Sequence, residues 1–117
     1  MGRGANNLRL STIEQIVQAH GHGRIPRLED VAEAADTSAR SLQRFLKNKN
    51  ITFTQVVEAI RQKEAKALLS ETDLSVAEIA RKIGQGDVSN FGRSFRKWTG
   101  QSPARWRKKR RSTQSER

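Results

Sequence analysis

The sequence predicts an all-α protein of about seven helices, organised as two helix-turn-helix units joined by a long linker helix. Three observations carry this expectation. Apolar residues recur at three- and four-residue intervals along most of the chain. A Ser, Thr or Asp stands before many of those stretches, in several cases with Glu or Gln three residues on. The pattern of the first half then returns in the second at an offset of 48 to 49 residues.

Residues 1–9, rich in Gly, Asn and Arg, and residues 112–117 (STQSER) are expected to be disordered. Between them, Ser11 and Glu14 are spaced as a capping box, and Ile13, Ile16 and Val17 supply one apolar face of a first helix reaching about Ala19. Gly21 and Gly23 break it. Pro26 precedes a second helix over about 28–35, with Leu28, Val31, Ala32 and Ala35 at helical spacing and Arg27 in a poor capping position. Asp36-Thr37 form a tight turn. Ser38 can cap a third helix in which Leu42, Phe45 and Leu46 face inward while Arg40, Arg44 and Lys47 point elsewhere. These residues make up a first unit, 10–50.

Thr52 and Gln55 form another capping box and open an amphipathic helix with Phe53, Val56, Val57, Ile60, Ala67 and Leu68 on one side, expected to end near Ser70. At 1.5 Å per residue its length is roughly 28 Å, which makes 51–71 a linker. Ser75 and Glu78 repeat the capping box ahead of a helix through Ile79 and Ile83 that stops at Gly84, a left-handed turn residue. Asp87 can cap the next helix, where Phe91, Phe95 and Trp98 line one face and Ser89, Arg93, Arg96 and Lys97 lie off it. Ser102-Pro103 reads as a cap followed by proline at the first helical position, beginning a short last helix with Trp106 and the run Arg107 to Arg111. This second unit spans 72–111.

Charge narrows the function. The chain has 117 residues with 23 Lys and Arg against 12 Asp and Glu, a formal charge of +11. Residues 81–117 hold twelve basic side chains against Asp87 and Glu116, which accounts for +10 of that total. Such segregation builds a local potential that attracts phosphates, and nucleic acid is the first partner to consider. With no cysteine there are no disulfides, thiolate nucleophiles or cysteine-based zinc sites. His20 and His22 have no neighbouring carboxylate or cysteine, so no metal site is expected. Neither a phosphate loop nor clustered carboxylates are present, which argues against an enzyme, and no cofactor is implied. Apolar runs are too short for a membrane span or signal peptide, so the expected compartment is the cytoplasm, in association with the nucleoid.

The internal repeat sharpens the partner. Val31-Ala32 matches Ile79-Ala80 at an offset of 48, while Leu42, Arg44 and Leu46 match Phe91, Arg93 and Phe95 at 49, so the second turn has one extra residue. Each unit is a short helix, a turn and a helix with a basic outer face, the pattern whose second helix enters a major groove. Two such units on a linker of roughly 28 Å could read grooves about one DNA turn, roughly 34 Å, apart. The alternative is a nonspecific architectural or RNA-binding protein, for which the same charge would suffice.

The segments DTSARSLQRFL, SETDLSVAEIARKIG and DVSNFGRSFRKWTGQSPARWR together resemble the DNA-binding domain of the AraC/XylS family of bacterial transcription regulators, over about residues 11–108. Departures from the family pattern are Gln85-Gly86, where an aromatic usually follows the turn glycine, and Asp36, where glycine is common. The resemblance implies binding of double-stranded promoter DNA, most often in activation, with RNA polymerase as a further partner. Many members also carry an effector-binding or dimerisation domain ahead of this one; the nine residues before Leu10 do not hold one, so the chain is expected to be either a small stand-alone member or a fragment from which such a domain is missing.

By the same resemblance, Arg40, Gln43 and Arg44 fall on base-reading positions of the first unit, and Ser89, Asn90 and Arg93, with Val88, on those of the second. Arginine to guanine and glutamine to adenine are sound bidentate pairings. Ser38, Lys47, Arg96, Lys97 and Arg107 suit phosphate contacts, which position without carrying sequence information. The bland reading of all these residues is a solvated helix face, and the RKKRR run is open between phosphate contact and basic tail. Phe91, Phe95, Trp98 and Trp106 could stack on unpaired bases, but their spacing assigns them to the core.

Overall fold

A computed structural model describes residues 8–20 and 26–115. Among them are seven helices: α1 (Leu10–His20), α2 (Leu28–Ala34), α3 (Ala39–Asn48), α4 (Phe53–Glu71), α5 (Val76–Lys82), α6 (Val88–Thr99) and α7 (Pro103–Ser115). The chain divides into two compact units, Met1–Ile60 and Arg61–Arg117.

Most of the caps sit where the sequence puts them. Ser38 Oγ accepts from the Ser41 amide at 3.0 Å, and Asp87 Oδ1 from that of Asn90 at 2.7 Å. Thr52 with Gln55, and Ser75 with Glu78, each close both bonds of the capping box. Ser102 Oγ accepts from the Arg105 amide at 3.2 Å, and α2 begins at Arg27 without a side-chain cap. The exception is α1. It begins at Leu10, ahead of Ser11, and its first backbone bond runs from the Ile13 amide to the Arg9 carbonyl, so Ser11 lies inside the first turn instead of capping it.

The Ser75–Glu78 capping box has an electrostatic consequence. The Ser75 backbone amide and hydroxyl, with smaller help from Arg81 and Lys82, hold the Glu78 carboxyl below the ordinary value of 4.5. A carboxylate with a depressed folded value contributes stability that is present above its unfolded value and lost as pH falls through the lower one. Wild type should therefore be more stable than Glu78→Gln at pH 7, and the gap should close as pH drops below about 4. Thermal melts of both chains across that range check this; a gap independent of pH would refute it.

Each unit has its own core. In the first, Ile13 and Val17 of α1, Val31 and Ala32 of α2, and Leu42 and Leu46 of α3 pack with Val56, Val57 and Ile60 of α4. In the second, Ala65 and Leu69 of α4 pack with Ile79, Ala80 and Ile83 and with Phe91 and Phe95 of α6. Full burial of the Val, Leu, Ile and Phe side chains among these stabilises by about 1.5–3 kcal/mol each before entropy is counted. The segment 51–71 is thus not a free-standing linker: its first half completes one core and its second half the other. The buried positions of that second half are Ala65 and Leu69, whereas Ala67 is exposed and Leu68 half-buried, a shift of the apolar stripe from the Ala67–Leu68 expectation.

The repeat is visible in the backbone. After α2, Asp36 turns left-handed at φ 59° and the Thr37 amide donates to the Ala32 carbonyl at 2.9 Å. After α5, Gly84 does the same at φ 80° and the Gln85 amide donates to the Ala80 carbonyl at 2.9 Å. Both are Schellman-type stops, related residue for residue by an offset of 48. The extra residue of the second turn is Gly86, also left-handed at φ 83°, after which Asp87 takes the place of Ser38 at an offset of 49.

The described residues nearest the two ends are structured where disorder is expected. Leu8 is buried, and α7 continues through Ser115 over 13 residues, past the expected limit at Arg111. The expected breaks at Gly21 and Gly23, the side chain of His20, all of His22 and the segments 1–7 and 116–117 lie outside the described residues.

Candidate nucleic-acid interface

In the first unit, α3 buries Leu42 and Leu46, so its opposite side must face out. That side carries Arg40, Gln43, Arg44 and Lys47, all exposed and spaced as one stripe of a helix. Among the described residues, none of these four side chains donates or accepts a hydrogen bond or joins an ion pair. The four line a cavity of about 780 Å³ whose apolar floor includes Ile51 and Phe53. Sequence reasoning missed this floor. The signal for it was the Thr52–Gln55 capping box, which fixes the start of α4 beside α3.

The expected phosphate ligand Ser38 is exposed, with its hydroxyl engaged in capping α3. Lys47 lies on the far turn of the same stripe, while Lys49 sits 5.2 Å from the Phe45 ring.

In the second unit, Phe91 and Phe95 pin α6 to the core, and Ser89, Asn90, Arg93, Arg96 and Lys97 are exposed. Arg93 donates to Asn90 Oδ1 at 2.6 Å, so the strongest base-reading candidate of this helix is pre-positioned by its neighbour. Val88 is 46% exposed, an uncovered apolar side chain at the helix start. A cavity of about 300 Å³ runs along Val88, Ser89, Gly92, Arg93 and Arg96 to Ser102. A Cβ at Gly92 would meet nothing within 4 Å, so the fold itself places no demand for glycine there.

Phe91 and Phe95 are buried in the core, and the half-buried Trp98 and Trp106 pack against it. Phe95 stands 5.7 Å from Phe91, 6.1 Å from Trp98 and 5.6 Å from Trp106 between ring centroids, in tilted and edge-on arrangements. This mutual packing is what the helical spacing of the four rings predicts of core residues.

Arg107 stands apart from the other candidates. Its Nε donates to the Leu69 carbonyl at 3.0 Å and its Nη2 to the Thr72 carbonyl at 3.2 Å, at the end of α4. Arg111 pairs with Asp73 at 3.0 Å and also donates to Thr72. Helix ends leave carbonyls without intrahelical donors, and guanidinium groups there complement the dipole. The structure gives Arg107 an intramolecular duty that sequence spacing could not reveal.

Two capped helices, each seated on its own core and each presenting a basic and amide-bearing face, define a tandem helix-turn-helix protein. The chain matches the helix-turn-helix domain family over residues 31–109 and belongs to the AraC/XylS family of regulators. It is 44% identical over 85 residues to the ornithine utilization regulator of Pseudomonas aeruginosa, covering 73% of this chain and 25% of that one. Against the transcriptional activator NphR of a Rhodococcus species it is 32% identical over 99 residues, or 85% of this chain and 30% of that one. The chain therefore spans only a quarter to about a third of the length of these two relatives. Among solved structures, the DNA-binding domain of AdpA in complex with a target DNA superposes with a TM-score of 0.76 at 26% identity, covering 92% of this chain and 97% of that domain. Among the described residues, no helix is long and apolar enough to cross a membrane.

Proposed function

We propose that this chain is the DNA-binding part of a sequence-specific transcription regulator, an activator, that inserts α3 and α6 into successive major grooves of a promoter site. The carrying observation is the duplication of an exposed basic face on two separately capped and separately cored helices. Charge alone would not call for that duplication. Arg40, Gln43 and Arg44 read one block of bases, and Arg93, Asn90 and Ser89 read the other, with the exposed Val88 suited to a thymine methyl. Lys47, Arg96 and Lys97 hold phosphates. The roles of those relatives as a regulator and an activator, and the DNA in the AdpA complex, support this reading. Activation implies contact with RNA polymerase, on DNA in the cytoplasmic nucleoid.

Selection from a random duplex library at near-physiological salt tests the proposal. Two enriched blocks about one helical turn, roughly 34 Å, apart are expected. Arg44→Ala should relax one block and Arg93→Ala the other, each by about 1–3 kcal/mol. If the library yields no enriched sequence, the protein is an architectural or RNA-binding one instead.

A further inference from the structure

From Val88 to Ser115 the chain has nine Lys and Arg and no carboxylate, and α7 holds six of those nine. The structure sorts these six by what they touch. Arg107 and Arg111 hold the end of α4, and the Arg110 guanidinium lies 5.4 Å from the Trp106 ring. Arg105, Lys108 and Lys109 remain. They are exposed, and among the described residues their side chains make no hydrogen bond or ion pair.

These three do not merely share a helix. Positions 105, 108, 109 and 112 follow the i, i+3, i+4, i+7 rule and make one face. With Gln101 and Thr113 this face lines a shallow cavity of about 510 Å³. Ser102, one turn before Arg105, lines the neighbouring cavity together with Arg93 and Arg96 of α6. Within the second unit, the α6 cavity thus reaches Ser102 at the α6–α7 corner, and the α7 cavity begins at the adjacent Gln101; the residues that line the two include no carboxylate.

We propose that Arg105, Lys108 and Lys109 form a clamp on the DNA sugar-phosphate backbone beyond the block read by α6. Duplex DNA presents phosphates in a row whose spacing suits a linear array of cations, and long side chains without intramolecular partners lose no bonds in turning to them. The clamp rests on the regulator reading above and extends it, by lengthening the footprint past the second block. It adds affinity and leaves base preference alone.

The test compares the wild-type chain with the triple variant Arg105→Gln, Lys108→Gln, Lys109→Gln on the selected duplex. The variant should melt with the wild type, since no packed contact is removed. Its plot of log affinity against log salt should be shallower by about 2.7, the value for three lost phosphate contacts. Phosphate-ethylation interference should show two or three backbone positions, outside the block relaxed by Arg93→Ala, that block wild-type binding and leave the variant unaffected. An unchanged slope, or a reduced slope with an unchanged interference pattern, overturns the clamp; the first result would turn this face of α7 toward an acidic protein surface, the second toward diffuse charge. Should the wild-type chain select no sequence at all, the regulator reading falls, while the slope difference on any duplex still decides whether these three residues meet phosphates.

Discussion

Phe95→Ala is expected to destabilise the second unit by about 3–5 kcal/mol, the range for removing a buried aromatic ring. Phe95 is fully buried, and three further rings stand within 5.6–6.1 Å of its own. Alanine would open a cavity lined by Phe91, Trp98 and Trp106, none of which can shift without losing its own packing. Domains of this size hold only about 5–15 kcal/mol in total, so the unit would be close to unfolding. Denaturant titration followed by tryptophan emission reports it directly, because both tryptophans lie in this unit. The functional corollary is loss of the block read by α6. A change under about 1 kcal/mol would mean that the aromatic cluster is not what seats α6.

Arg107→Ala should cost about 1.5–3 kcal/mol of stability, the scale of hydrogen bonds from a charged group to part-buried carbonyls. Its two donors reach Leu69 and Thr72 together, a geometry that depends on the planar guanidinium fork. Arg107→Lys should consequently recover only part of the loss. The competing role, a phosphate contact, makes the opposite forecast: unchanged stability, with a salt slope shallower by about 0.9. Thermal unfolding and salt-dependent binding on the same two variants separate these roles.

Where sequence reasoning failed, it failed for one kind of reason. Local chemistry was legible: five of the expected caps are formed, and the repeat offset reappears as matched left-handed stops at Asp36 and Gly84. Ser11 misled because a correctly spaced Ser and Glu can sit one residue inside a helix as well as at its edge. Ala67 and Leu68 misled because a 19-residue helix serving two cores need not keep one apolar face, and Ala65 and Leu69 are the residues that meet the second core. The intramolecular bonds of Arg107 were not legible because a basic residue in a basic run carries no mark of what it will touch 38 positions away.

The sequence by itself determined the helices, their stops, the duplicated units and the basic outer faces of α3 and α6, because caps, left-handed turns and helical periodicity act within four or five residues of one another. Only the tertiary structure decided how the cations divide. Arg107 and Arg111 are spent on the carbonyls at the end of α4, whereas Arg105, Lys108 and Lys109 stay in solvent. That division depends on where a helix end from another part of the chain arrives in space, and side-chain type and spacing do not encode that position.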